Sequence, residues 1–350
     1  MTSIGKSRSF NLVRHSAATS AIDKKVKALG LLPARRPPVQ DTTRESQRAL
    51  TGAPSWRTRI FGIFRKEKPL RAKNAIGPVI NSLQVRLLQV PEALQVSPLR
   101  LAALLVPHRS KDASSGSQFI SRLTKLPLAQ REVSILDEIK KGNVPDFMRQ
   151  LKPVSLSHTD VLGRKHKAVA YVAPDYVAIG SNKDFVRMPM TPKTAQNIAD
   201  FFGASLPTTK LVNAIYEQST VKHLPQTLGS DRESISAFLK HDRLITNQAT
   251  KTAASELQAG HKKDIVNSAK LHARPDRVAI YGWHQLNGEP IQELSTVHHR
   301  NYVDYSHGVR LISNKVLVNG RPKDLADILR DPHLSGLVSK EGMLSDRLPD

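Results

Sequence analysis

The chain contains no cysteine. This excludes a disulfide framework, a thiolate-ligated zinc or iron–sulfur centre and a thiol nucleophile, so any covalent chemistry must use oxygen or nitrogen. Aromatic residues are only 5% of the total, and no helix-turn-helix, RNP or zinc-finger pattern occurs. Sequence-specific nucleic-acid binding is therefore disfavoured. Long apolar runs are also missing. The longest, Leu101 to Val106, falls far short of the roughly 20 residues of a membrane-spanning helix. Acidic residues are scarce at the start: residues 1–130 hold 23 Lys and Arg against 6 Asp and Glu, whereas the remainder holds 30 against 24.

What is present is 350 residues, 39% hydrophobic and 24% charged, with a formal charge of +23. That is enough apolar material for one large or two modest cores, and the charge favours anionic partners. Because the excess is concentrated early, we expect a basic N-terminal extension over 1–130 and a folded domain over 131–350. The opening MTSIGKSRSFNLVRHSAATSAIDKK lacks the apolar core of a secretory signal. Its composition suits a disordered arm, with a type III secretion leader or an organelle transit peptide as the alternatives. The chain is thus expected in the bacterial cytoplasm or secreted by a route independent of a signal peptide, with a host protein or an anionic surface as the arm's partner.

Within the extension, apolar spacing predicts helices over Gly77–Leu88 and Pro98–Val106, and Ser114 to Ser117 read as a serine-rich connector. Farther on, Lys167–Val172 and Tyr176–Ile179 are β-rich runs separated by Pro174 and Asp175, and are expected to be adjacent strands. Thr191 followed by Pro192 opens a helix that Gly203 stops, and a second follows Thr208 or Thr209. A helical stretch near Ser234–Leu239 precedes strands at Asp264–Val266, Val278–Tyr281, Val309–Ile312 and Val316–Val318. Turns are expected at Asn287-Gly288 and Asn319-Gly320, and a last helix over Asp324–Leu329. The order fits an α+β fold, with a mixed or antiparallel sheet and flanking helices.

Six of the 13 histidines, His261, His272, His284, His298, His299 and His307, fall within residues 261–307, where an even spread would place about two. Beside them stand acids, cations and hydroxyls, the residue types of polar active sites. The candidate catalytic groups are His261, Asp264, His284, Asp304, Ser306 and His307; candidate substrate contacts are Lys262, Lys263, Tyr281, Trp283, Tyr302 and Arg310. Three chemistries are open. His261, Asp264, His298 and His307 could hold a divalent metal such as zinc, although no HExxH occurs. A histidine oriented by Asp304 or Asp264 could act as general base, with Lys262, Lys263 and Arg310 facing an anionic group. Ser306 could be a nucleophile, without the GxSxG context.

The segments GHKKDIV, VAIYGWH with NGEPIQ, YVDYSHGVRLI and VLVNGRP, together with the upstream FVRMPMTPKTAQNIADFFGASLPTTKLVNAIY, resemble a group of bacterial proteins to which no reaction is assigned. The resemblance runs over about residues 170 to 342 and implies one intact domain there, leaving its activity open. A basic, serine-containing extension ahead of such a domain is similar in layout to type III secreted effectors. The residues themselves point first to a hydrolase of a polar, amide- or ester-containing substrate such as a cell-wall fragment. The alternatives are a non-enzymatic effector that binds an anion or partner through the basic region, and a pH-sensitive sensor of a small anion.

Overall fold

The longest strand pairing grows from a short alternation of small and branched residues. In β1 (Lys152–Thr159) Val154 and Leu156 are buried between exposed neighbours, and in β2 (Lys165–Val172) Ala168, Ala170 and Val172 are buried on the matching face. The two pair antiparallel throughout, with Lys152 opposite Val172 and Thr159 opposite Lys165. This computed structural model describes residues 97–248 and 255–349, all part of one compact unit. The expected helix over Gly77–Leu88 and most of the basic extension lie outside these residues.

Among the described residues, three α-helices precede β1. The first, α1 (Pro98–Leu101), is shorter than the expected Pro98–Val106. Beyond it the backbone is bonded laterally, Leu105 N donating to Phe202 O at 2.9 Å, in place of a continuing helical ladder. The serine-rich stretch is the start of α2 (Gly116–Leu123). Ser115 Oγ accepts from Gln118 N, and the Gln118 side chain accepts from Ser115 N in return, which satisfies two donors of the helix end. α3 (Leu128–Lys140) follows.

After β2 the expected neighbouring strand is absent from its sheet. β3 (Ala178–Gly180) pairs instead with β4 (Phe185–Arg187) in a separate ribbon. Pro174 and Asp175 do not make a hairpin turn, because Ala173 N and Val177 N donate to Leu311 O and Val309 O and tie this stretch to a distant part of the chain. The same bonds explain why the strand expected over Val309–Ile312 is confined to its end.

α4 (Pro192–Phe202) has Thr191 as its cap and Gly203, at φ 67°, as its stop. β5 (Ala204–Ser205) leads to α5 (Thr209–Gln218), capped by Thr208. β6 (Val221–Lys222), α6 (Ile235–Gln248) and β7 (Gln258–Ala259) come next, with β6 and β7 parallel. The rest is β8 (Lys263–Ile265), β9 (Ile280–His284), β10 (Pro290–Ser295), β11 (His307–Gly308), β12 (Ile312–Ser313), β13 (Lys315–Val318), β14 (Arg321–Asp324) and α7 (Leu325–Arg330). The expected turns join β9 to β10 and β13 to β14, and Asn319 and Gly320 both take positive φ, 49° and 79°.

The architecture is α+β. One sheet runs β14-β13-β2-β12-β5 with β1 also paired to β2; a second runs β10-β9-β8-β11, antiparallel except for β8 with β11. A large core unites Phe119 and Ile120 of α2, Ile135 of α3, Ile198 of α4, Phe238 of α6 and Trp283 of β9, and it includes Ala102, upstream of residue 131. A second core joins Val154, Ala170, Val316 and Ile328 to Leu211 and Ile215 of α5. Among the described residues no helix is long and apolar enough to cross a membrane.

Gly203 tests the helix stop. A methyl group there would come no closer than 3.7 Å to a Leu105 side-chain carbon, so the cost of Gly203→Ala is that of the left-handed backbone alone, about 1 kcal/mol. Denaturant unfolding should show that loss, and Gly229→Ala, at a site with nothing within 4 Å of an added methyl, should show little.

Candidate functional site

The histidine-rich stretch divides among three environments. The first is sealed in the interior and organised by Asp175, which is 0% exposed. Its Oδ1 lies 2.9 Å from His261 Nε2, and its Oδ2 receives Arg187 Nε at 2.8 Å and Nη2 at 2.7 Å. Arg187, on β4, reaches on to Asp242 Oδ1 of α6 at 3.2 Å. Burial opposes ionisation of Asp175, but the Arg187 guanidinium and His261 outweigh it and hold the carboxyl well below its ordinary range. Burial pushes His261 the other way, down to about 3 despite Asp175. The imidazole is therefore neutral at pH 7, and its Nδ1 is buried without a hydrogen-bond partner.

The expected orienting acid for a histidine was Asp304 or Asp264; for His261 it is Asp175, from the supposed turn. Asp264 instead accepts the Tyr176 hydroxyl on Oδ2 at 2.8 Å. Burial raises its carboxyl to about 7, against the pull of Arg310. Lys262 gives its ammonium to Tyr305 O at 2.6 Å, and burial lowers it to about 8. Arg310 is spent on Ala173 O and Gln258 O at 2.8 and 2.7 Å, with its guanidinium 4.3 Å from the centre of the Tyr176 ring. Both cations satisfy backbone carbonyls in the interior rather than lining an open surface.

The second environment surrounds Asp304. Ser306 N and Oγ both donate to Asp304 Oδ1, at 2.7 and 2.5 Å, and Tyr302 Oη donates to Oδ2 at 3.1 Å. The Ser306 hydroxyl proton is thus directed to the Asp304 carboxylate rather than to a histidine. His298 stacks on Tyr302 with centroids 4.1 Å apart. His307 is fully buried with both ring nitrogens unpartnered, and burial lowers it to about 4. Lys263 lies 5.0 Å from the centre of the Trp283 ring, and Trp283 belongs to the large core.

The third environment is open. His284 and Tyr281 line a cleft of about 700 Å³ with Asn213, Tyr216, Glu217, Lys222, Glu289 and Glu293. Tyr281 Oη donates to Asn213 Oδ1 at 2.9 Å, and His284 Nε2 lies 3.0 Å from the same oxygen. Since that oxygen only accepts, Nε2 carries the proton and Nδ1 keeps its lone pair. Three residues apart, Tyr281 and His284 would face opposite ways in a regular strand. They share a partner because Gly282 and Trp283 take positive φ, 105° and 58°, and kink β9 between them. A left-handed backbone at a bulky aromatic is strained, and such strain gathers at functional positions. His284 also stacks on Tyr216 at 4.4 Å, and burial lowers it to about 4. A methyl group added at Gly282 would meet Val212 Cγ1 at 3.1 Å, His284 Cε1 at 3.5 Å and Asp264 Oδ2 at 3.6 Å.

His261, Asp264, His298 and His307 do not converge as a ligand set. Among the described residues no three or more His, Asp or Glu side chains are placed to hold a metal ion. The residues that sequence reasoning missed are Asp175, Arg187 and Asp242 in the interior and Asn213, Tyr216 and Lys222 at the cleft. One signal was available for Asp175: it is the lone charge between Ala168 and Gly180. No protein family, curated protein or solved structure matches this chain.

The raised carboxyl of Asp264 makes stability depend on pH. Folded, it keeps its proton up to about 7, while in the unfolded chain it loses it near ~3.9. Stability from this group is therefore complete below the lower value and falls as pH rises through the upper one. Asp264→Asn, which keeps an acceptor for Tyr176 and cannot ionise, should gain stability relative to the parent between about pH 4 and pH 7.5 in denaturant titrations. A constant difference across that range would contradict the assignment.

Proposed function

We propose that this domain is a hydrolase that works from the cleft at His284 on a polar amide- or ester-containing substrate, with a peptide or amino-sugar fragment of the cell wall as the first case to test. The observation that carries the reading is the kinked β9, which sets His284 beside Tyr281 on one Asn213 oxygen at the edge of an open cleft. Asn213 fixes the tautomer and leaves Nδ1 as the proton acceptor. Water gives a proton to Nδ1 as its oxygen attacks the substrate carbonyl carbon; the C–N or C–O bond then breaks, and the leaving group takes the proton from the imidazolium. Lys222, held 4.9 Å from the centre of the Tyr216 ring, supplies the positive charge for the carbonyl oxygen. With Glu217, Glu289 and Glu293 lining the same cleft, a neutral or amine-bearing substrate fits better than the anionic one first expected.

A second reading concerns the opposite end of the chain. The 23-to-6 excess of basic residues over 1–130 favours a salt-sensitive association of that extension with an anionic surface or partner, separate from the cleft.

The test is turnover of soluble cell-wall fragments, simple amides and esters by the full chain, with products identified by mass spectrometry. His284→Gln keeps a donor toward Asn213 but has no imidazole base, and should lose at least about 100-fold in kcat/KM. Because the ring becomes protonated only near pH 4, activity should rise through that pH and stay level to neutrality. Unchanged turnover in His284→Gln would overturn the assignment, and binding of fragments without turnover would favour the non-enzymatic alternative.

A further inference from the structure

The turn between β1 and β2 ends in two large aliphatic side chains that nothing in the domain covers. Val161 is 86% exposed and Leu162 66%, at a tip where polar turn residues are the rule. The tip is also firmly held. The buried Asp160 carboxylate accepts Leu162 N at 3.0 Å and Arg164 N at 2.9 Å on Oδ1, and Arg164 Nε and Nη2 both reach Oδ2 at 2.7 Å. His166 Nε2 is 3.1 Å from the same Oδ2. The outward pose of the two aliphatics is therefore set in advance, with little chain entropy left to lose on contact.

Behind the tip lie cations. Lys165 and Lys167 are exposed on β2, and Arg321 is exposed on the edge strand β14, level with Ala168 through Val318. Among the described residues none of these three pairs with a carboxylate, and the one acid at the tip, Asp160, is already engaged by Arg164. Apolar side chains outermost and cations one step behind match the order of acyl chain and headgroup in an anionic bilayer.

We propose that the β1–β2 tip is a membrane-contact element, seating Val161 and Leu162 in the interface of an anionic bilayer while Lys165, Lys167 and Arg321 meet its headgroups. This surface is separate from the cleft at His284 and uses no residue of the basic extension. It orients the domain on the bilayer with the β1–β2 end down.

Because the chain has no cysteine, Leu162→Cys in the full chain accepts a single environment-sensitive fluorophore. On phosphatidylglycerol vesicles its emission should shift to the blue and be quenched by acyl-brominated lipid. The response should weaken on phosphatidylcholine vesicles and at high salt. Lys165→Glu with Lys167→Glu should weaken the tip's apparent affinity, read from the label's blue shift, by at least about tenfold, and Val161→Ser with Leu162→Ser should lower vesicle co-sedimentation at high salt, where the basic extension contributes least. A label that stays at its aqueous emission while the chain sediments with vesicles would overturn the proposal, leaving the extension as the binder. A shift that follows protein concentration without vesicles would overturn it in favour of self-association.

Discussion

The ion pair between Asp175 and Arg187 is the constraint on which the interior depends. A carboxylate and a guanidinium removed from water carry a desolvation cost of several kcal/mol each, offset only when geometry and hydrogen bonding are nearly complete. Asp175 reaches that state through Arg187 on one oxygen and His261 on the other, with Arg187 braced by Asp242. The segment after β2, strand β4, helix α6 and the chain entering β8 are thereby held to one point, and their apolar residues pack around it. The histidines that neighbour this point are neutral by consequence, since burial beside Arg187 leaves little room for another positive charge.

Clustering in sequence did not mean clustering in space. The six histidines of the window occupy a sealed interior, a carboxylate-centred turn and an open cleft, together with exposed positions such as His272 and His299. What separates them is the backbone of β9 and its neighbours. Trp283 goes to the core, and the kink at Gly282 and Trp283 turns His284 to the side of Tyr281, so that both reach Asn213 of α5.

Much of the fold was legible because it rests on local chemistry. Thr191-Pro192 and Gly203 bound a helix through capping and a left-handed stop, and Asn319-Gly320 closes a hairpin through two positive φ angles. These effects act within a few residues and need no partner. β1 was missed because two buried residues among serines and a histidine make a weak alternation, which only β2 turns into a face. The site was legible in its residue types but not in its contacts. Asp175 read as a turn acid because Pro-Asp is a turn signal, and its histidine partner, His261, lies 86 residues along the chain. Asn213 and Lys222 carry no motif at all; the cleft exists only once α5 and β6 are set against β9.

The sequence separation of these partners bears on how the chain acquires its topology. Asp175 and His261 are 86 residues apart and Arg187 and Asp242 are 55 apart, so both contacts close long loops, whose entropy must be lost before the contacts form. Until β4, α6 and the entry to β8 have all arrived, water is the better solvent for the carboxylate. The charged centre thus makes partial collapse unfavourable: a half-assembled interior would leave Asp175 desolvated and unmatched. It couples distant elements into one cooperative step, and incomplete arrangements of the chain are selected against by hydration itself.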